Sequence, residues 1–540
     1  MSTKKARRLV KVKEIGKKLD PVTETLSPVD LLSLIPLPPP YDTLGIDPLW
    51  KELSPEKRGA VDATLDGVSA LNLKRPATPE EEKKLVDSFV AGLRKLLSPD
   101  DNWAFLQPLA LTLEHCTHCQ TCADACPIFT GSGRNEVYRP TFRADVLRGL
   151  EARHGDGGNA LKAALLGAPE ASWETLARLA ELAHRCTLCR RCTQACPIGV
   201  DNGLVTHELR KLFSMEMGIA AKEAHASGSQ LQLSQGSTTG MNAAAVKDSV
   251  EFIDEDTAER TGIAIKTPWD KAGADILLLH NAGEFQAWPE NPGAFATILE
   301  AAGVSWTLSS ELAGYDAVNY GLWYDDVQFA RVALQHAAIA KKLGVKKIVI
   351  GECGHAHKAL AVVADRLIGQ EAVPRESCLT FLDDLVASGR LKLDPSRNDF
   401  PVTYHDPCNT SRAMGIIEPP RRILRKIAPR FREMTPHGVE NYCCGGGSGF
   451  AIMSGNNFEN WRVLVSGRMK MKQVLDAFEG ELDPSIPKYV CAPCSNCKGQ
   501  FRDLLRAYGA TQRSRIVYGG LVELIVNAMV DAKPGYIDFG

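Results

Sequence analysis

A chain of 540 residues is too long for one ordinary domain and points to about three or four units. Its 44% hydrophobic and 24% charged residues are those of a globular protein with ample core material, which excludes a disordered or fibrous chain. A net charge of −2 gives nucleic acid no electrostatic basis as a partner, and no apolar run is long enough to span a bilayer.

The first eighteen residues carry eight Lys or Arg against one acid, Glu14. They read as a solvated, disordered basic tail, or alternatively as a tail that touches anionic lipid or an acidic partner. No apolar segment or cleavage site follows, so the tail is not a secretory signal, and the sixteen cysteines belong to a reducing compartment, the cytoplasm. Residues 1–100 form an N-terminal extension, partly disordered and broken by Pro36-Leu37-Pro38-Pro39-Pro40, from which little core is expected. Within it, Pro79 and three acids open a helix running to Leu97, with Leu85, Phe89, Leu93 and Leu96 on one face.

Residues 101–220 hold eight cysteines among helical patterns, the clearest over 172–184. They fall in two runs, Cys116-x-x-Cys119-x-x-Cys122-x-x-x-Cys126-Pro127 and Cys186-x-x-Cys189-x-x-Cys192-x-x-x-Cys196-Pro197, both the bacterial ferredoxin pattern without deviation. Three thiolates two residues apart wrap one cubane cluster, and in two-cluster proteins the fourth cysteine serves the other cluster. The expected sets are therefore Cys116, Cys119, Cys122 and Cys196 for one [4Fe-4S] cubane, and Cys186, Cys189, Cys192 and Cys126 for the other. Zinc does not call for this pattern twice. His118, inside the first run, reads as a neighbouring donor and not as a ligand.

Residues 221–270, low in aromatics and with Gly228-Ser229 and Gly236-Ser237-Thr238-Thr239-Gly240, read as a linker. From 271 short apolar strands alternate with helices: 275–279, 304–308 and 347–350, each followed by a helical pattern, the last over 356–368. A comparable series restarts near Val402 and includes Tyr489–Cys491, so 271–395 and 396–540 read as a weak internal repeat.

The second half carries His405-Asp406-Pro407-Cys408, then Cys443-Cys444-Gly445-Gly446-Gly447-Ser448-Gly449, then Cys491-Ala492-Pro493-Cys494-Ser495-Asn496-Cys497. Adjacent cysteines do not comfortably take two corners of a cubane, and the glycines let backbone approach a bound group closely. The segment has neither the spacing nor the following Lys of a nucleotide loop. The last stretch offers two C-x-x-C registers, Cys491/Cys494 and Cys494/Cys497, of which the one after Pro493 is preferred. The interval from Cys444 to Cys494 is long enough to hold an inserted loop. In the first half, His280-Asn281 and Tyr315-Asp316 to Tyr320-Gly321 stand where cysteines would repeat, so this half is degenerate. Only Glu352-Cys353-Gly354-His355-Ala356-His357 resembles the final motif. Cys353, His355, His357, His405 and Cys491 are further site-lining candidates, with His355 and His357 at a solvated helix N-terminus as the alternative. Cys378 reads as an ordinary buried cysteine.

These motifs resemble the CCG signature of heterodisulfide reductases, over about residues 100–540. The pattern looks closest to the DsrK-type (HdrD-like) iron–sulfur subunits of DsrMKJOP membrane complexes. The resemblance implies an α+β multidomain chain: an α-helical ferredoxin domain with two cubanes, then two α/β CCG-type halves, the first degenerate. It also implies one noncubane [4Fe-4S] cluster on Cys408, Cys443, Cys444, Cys494 and Cys497. The implied partners are a haem b quinone-reactive membrane subunit (DsrM-like) and a small DsrC-like sulfur-carrier protein. Attachment would be peripheral, to the inner face of the cytoplasmic membrane. Two other functions fit the same motifs: the iron–sulfur subunit of a quinone-linked 2-hydroxyacid or glycerol-3-phosphate dehydrogenase, and an electron relay without bond chemistry.

Overall fold

The computed structural model describes residues 11–16, 29–42, 50, 54, 56, 65–98, 106–312, 314–364 and 373–540, which group into two units. Most of the basic tail, and the end of the helix expected over 356–368, lie outside the described residues.

The first unit comprises residues up to 222 with 323–325 and 452–469. Helix α1, Pro79–Leu97, starts where Thr78 Oγ1 accepts from the Glu81 amide, with Pro79 and three acids in its first turn and Arg94 and Lys95 in its last. It buries Phe89, Leu93 and Leu96, and Leu85 is half-buried. Helices α2 (Pro140–His154), α3 (Trp173–Ala183, capped by Ser172) and α4 (Asn202–Met217, capped by Asp201 and ended by left-handed Gly218) complete the bundle. Phe89 of α1 meets Phe213 of α4 at 5.4 Å between ring centres.

The N-terminal extension contributes more core than its composition suggested. Ile15, Leu34, Leu37, Tyr41, Leu65 and Val68 are buried. Buried charges on and just after α3 hold this segment by its backbone. Arg178 donates to the Ile15 carbonyl at 2.5 Å, Glu181 accepts from the Ala70 and Leu71 amides at 2.8 and 2.9 Å, and Arg185 donates to the Val68 carbonyl at 2.8 Å. Side chains far along the chain satisfy the backbone here, which no local pattern reveals.

Residues 452–469 account for the long Cys444–Cys494 interval: the chain leaves the second unit after 451 and rejoins it at 470. In the first unit this excursion stacks Phe458 and Trp461 under the Arg185 guanidinium, 5.3 and 4.8 Å from the ring centres.

The second unit begins within the stretch read as a linker. That stretch instead forms a π-helical turn, Glu223–Gln230, and the 19-residue helix α5, Ala243–Thr261. Asn242 caps α5 and Gly262 ends it at φ 74°. Val246, Val250 and Ile253 enter the core, so the i, i+4 apolar spacing outweighed the Gly/Ser composition. The chain continues through β1 (Ile276–Leu279), α6 (Glu290–Ala301), β2 (Trp306–Thr307), α7 (Asp326–Leu343), β3 (Lys347–Ile350), β4 (Arg375–Ser377) and α8 (Cys378–Ala387). It then repeats with β5 (Val402–Tyr404), α9 (Cys408–Met414), α10 (Glu418–Ile427), β6 (Phe431–Glu433), α11 (Arg468–Ala477), β7 (Lys488–Cys491), α12 (Ser495–Ala507), β8 (Ile516–Gly519) and α13 (Leu521–Ala528). Both sheets are parallel and four-stranded, ordered β2-β1-β3-β4 and β6-β5-β7-β8. The same order in both halves is the expected repeat, and it brings the ends of β1 and β3, and of β5 and β7, side by side. Each half is α/β within an α+β chain.

Candidate functional site

In the first unit the eight ferredoxin cysteines surround two cavities. Cys116, Cys119, Cys122 and Cys196 line one, together with His118 and Ile198. Cys126, Cys186, Cys189 and Cys192 line the other, with Arg185 and Tyr138. The fourth cysteine of each run thus lies at the cavity of the other run. The loops share one backbone shape: His118 and Gln120, like Leu188 and Arg190, are left-handed on either side of the middle cysteine. Four non-glycine residues with φ between 51° and 66° are conformationally costly, the kind of strain that marks a site whose geometry matters more than its local stability.

The donor chemistry fits iron–sulfur clusters. None of the sixteen cysteines forms a disulfide. Burial, with the neighbouring thiols, pushes Cys122 up to about 12, and burial pushes Cys126 up to about 12. Such crowded thiolates are stable only against a cation. The His118 imidazole pairs with Asp145 at 2.9 Å, which holds it beside the cavity.

The second site is built on the strand ends of the second unit. His405 follows β5, Cys408 opens α9, Cys494 precedes α12 and Cys497 lies in its first turn. Cys443, Cys444, Cys494 and Cys497 are buried and joined by thiol hydrogen bonds, with Cys444 bonded to Cys443 and Cys497, and Cys494 to Cys497. Cys408 is half-buried, outside these bonds. The Gly445 amide donates to Cys443 Sγ and that of Gly446 to Cys444 Sγ, each at 3.4 Å. Gly445 at φ 95° makes the tight turn after the cysteine pair. Hydrogen bonds from Cys443 and Cys497 hold the Cys444 thiol well below its ordinary value.

Cys491 does not join them. It ends β7 in the apolar core, and burial raises its thiol. The geometry therefore groups the Cys494/Cys497 register.

The degenerate half supplies the opposite wall. The Gly354 amide donates to Cys494 Sγ at 3.3 Å, and a Cβ at Gly354 would lie 2.9 Å from that sulfur. Cys353 is buried, and burial, with the Cys494 charge next in effect, raises its thiol. His355 Nε2 accepts from the Ser448 amide at 3.2 Å, so its proton is on Nδ1. Asn441 Nδ2 faces His405 Nδ1 at 3.3 Å, which leaves His405 Nε2 to donate to Cys497 Sγ at 3.2 Å. Burial lowers His355 to about 3 and His405 to about 4, so both are neutral at pH 7. Where cysteines would repeat in this half, His280 packs on Phe285 and Phe295, and Asp316 accepts from Thr238.

His355 and His357 are not solvated. His357 Nδ1 donates to the Cys353 carbonyl at 2.8 Å and Nε2 accepts from the Ser377 hydroxyl at 2.7 Å. Burial lowers it to about 4. The folded value lies below the unfolded one of about 6.5, so below that pH the unfolded chain binds the extra proton and stability is lost as pH falls toward 4. This group alone is expected to cost about 3 kcal/mol between pH 7 and pH 4. Urea unfolding of His357→Gln across that range should show a correspondingly shallower acid dependence.

Sequence reasoning missed Lys470. It is fully buried in α11, and Nζ donates to Asn441 Oδ1 at 2.8 Å and to Gln473. Burial lowers it to about 7 while Asp406 and the thiols Cys444, Cys443 and Cys497 pull it up. Its amine is set toward the group of sulfurs. Its place in Arg468-Met469-Lys470-Met471-Lys472 looks like a solvated helix face. Also missed was a buried network of Glu284, Glu352, Lys498 and Glu523 behind the Cys494 loop.

Comparison with known proteins agrees with this layout. The family described as "4Fe-4S dicluster domain" matches residues 112–200, and the "Cysteine-rich domain" family matches 402–502. The chain is 26% identical to the Hdr-like menaquinol oxidoreductase iron-sulfur subunit 2 of Archaeoglobus fulgidus, over 89% of this chain and 93% of that one. It is 28% identical to a chain of the dihydromethanophenazine:CoB--CoM heterodisulfide reductase of Methanosarcina acetivorans, over 63% and 79%. It is 23% identical to the EtfAB:quinone oxidoreductase of Syntrophomonas wolfei, over 75% and 57%. No solved structure matches. The chain is thus an iron–sulfur protein with a 4Fe-4S dicluster region and a cysteine-rich region, similar over most of its length to iron–sulfur subunits of heterodisulfide-reductase-like oxidoreductases.

Proposed function

We propose that this chain is a DsrK-type subunit that takes electrons from a quinol-linked haem b membrane subunit and uses them to reduce a disulfide or trisulfide on a DsrC-like carrier protein, or to form that bond in reverse. The observation that supports it best is the buried group of Cys443, Cys444, Cys494 and Cys497, walled by Gly354 and His355 of a half that has no such cysteine group of its own. With Cys408 these would hold a noncubane [4Fe-4S] cluster, and the crossed sets Cys116, Cys119, Cys122, Cys196 and Cys186, Cys189, Cys192, Cys126 would hold two cubanes. The clusters supply one-electron steps, and cleavage of an S–S bond takes two. The protein's part is to shield the reacting sulfurs and to fix neutral His355 and His405 with their N–H groups known. The test is turnover of a DsrC-like trisulfide by the cluster-loaded protein with a chemical reductant. Two thiols and one sulfide per trisulfide, formed with four electrons at two for each S–S bond, support the reading, and reduced clusters that leave the trisulfide intact refute it.

Among the described residues no helix is long and apolar enough to cross a membrane. Attachment is proposed to be peripheral, through partner subunits. High salt or mild detergent should release the chain, and a need for full bilayer solubilisation when expressed alone would refute this.

A further inference from the structure

Behind the Cys494 loop lie three buried carboxylates and one ammonium. Lys498 Nζ pairs with Glu284 Oε1 at 2.9 Å and lies 3.9 Å from Glu352 Oε2. Glu284 thus takes the lysine charge, and Glu352 and Glu523 remain together. Asn291 Nδ2 donates to Glu352 Oε2 at 2.9 Å and to Glu523 Oε1 at 3.2 Å. The Oε2 atoms of both acids turn toward the space left by the missing side chain of Gly520: a Cβ there would collide with that of Glu352 and lie 2.5 Å from that of Glu523. Oε2 of Glu523 has no hydrogen-bond partner among the described residues. Two buried carboxylates facing each other, one oxygen without a donor, are one proton short of a satisfied pair.

The pair has a door and a neighbour. Glu523 lines a cleft of about 630 Å³ that also meets Asp256, Arg260 and Tyr518, so water reaches its rim. On the other side, Glu352 is joined to the sulfur site by backbone: its carbonyl accepts from the Ser495 amide at 2.8 Å, directly after Cys494, and the Gly354 amide two residues on donates to Cys494 Sγ.

We propose that Glu352 and Glu523 hold a redox-linked proton: when one electron arrives at the cysteine site, one proton from water in the cleft binds the pair, and it returns there when the electron leaves. This rests on the reading of the cysteines as a cluster site. The balance is one electron in and one proton in, with no other bond made or broken; the electron comes from the quinol-linked donor. Burial and the Glu523 charge push Glu352 up to about 8, and burial raises Glu523, so the pair exchanges its proton near neutral pH. The charged groups facing it are Lys498 and Glu284 from within and Glu290 from the start of α6. Tyr489 and Cys491 of β7, Cys378 of α8 and Tyr536 also face it, each with its proton held more tightly by burial.

The test is a potentiometric titration of the cysteine-site cluster signal in the full-length, cluster-loaded protein between about pH 6 and pH 9. The wild-type midpoint should fall by about 59 mV per pH unit above about pH 8, where the oxidised pair gives up its proton, and level off below it, the pattern for one proton per electron. Glu523→Gln, which keeps shape but removes the shared proton, should flatten the slope, and Asp256→Asn on the cleft wall should leave it. Reduced-minus-oxidised infrared spectra of wild type should gain a protonated-carboxyl band that shifts in heavy water. A flat wild-type slope, a slope that survives in Glu523→Gln, or no carboxyl band overturns the proposal. Iron content reads the cluster assignment separately. About twelve irons with a flat slope sinks the proton pair alone, whereas about eight sinks the third cluster and the pair with it.

Discussion

Cys444→Ser protein is expected to lose all reduction of a DsrC-like trisulfide while keeping about eight of about twelve irons. Hydrogen bonds from Cys443 and Cys497 hold the Cys444 thiol well below its ordinary value, and a serine there would offer a buried hydroxyl in place of the sulfur that two neighbours bond. The loss is confined to one site because the other eight cysteines line two cavities in the first unit. Iron analysis, with spectroscopy to show both cubanes intact, separates this from general unfolding, and Cys443→Ser should behave alike. Full turnover in Cys444→Ser would instead make the chain an electron relay. By contrast Cys491→Ser, away from the sulfur group in the core, should change stability more than iron content.

Motif spacing made the cysteine chemistry legible, because a cluster demands several thiols at short fixed intervals and little else in a sequence imitates that. The crossed grouping of Cys126 and Cys196 was legible for the same reason. The strands β1, β3, β5 and β7 were visible as short apolar runs, since central parallel strands are covered on both faces. Strands β4 (Arg375-Glu376-Ser377) and β6 (Phe431-Arg432-Glu433) were not, because at the sheet edge a polar strand can keep its side chains partly wet. Helix α5 was hidden by the glycines before it. Lys470 and the pair of Glu352 and Glu523 were illegible for a different reason. A buried charge is recognisable only by what surrounds it, and their surroundings come from segments as far as 232 positions apart, as Asn291 and Glu523 are. His355 and His357 illustrate the same limit: polar residues at a short helix start look exposed until the partner half covers them.

Arg421→Met is expected to destabilise the second unit by about 3–5 kcal/mol and to empty the proposed cluster site of that unit in the same step. Arg421, buried in α10, makes a two-pronged bond to Asp406 at 2.8 and 2.8 Å and a second to Glu433 at 2.7 and 2.9 Å. Those carboxylates raise its already high proton affinity, so the ion pair persists at any working pH. Asp406 is buried too, and only the Gly438 amide would remain on its carboxylate, at 2.7 Å. The methionine would fill the space and leave that charge without its two-pronged partner, which is where the cost arises. Function follows through the backbone: Asp406 lies between His405, which donates to Cys497, and Pro407-Cys408 at the head of α9. Urea unfolding gives the stability change, and iron content gives the site. The cause is tested by adding Asp406→Asn, which removes the stranded charge and keeps an acceptor for the Gly438 amide. The double variant should recover more than half of the lost stability, as expected for residues in direct contact. If the two substitutions simply add, Arg421 contributes by packing alone and does not act through the charge of Asp406.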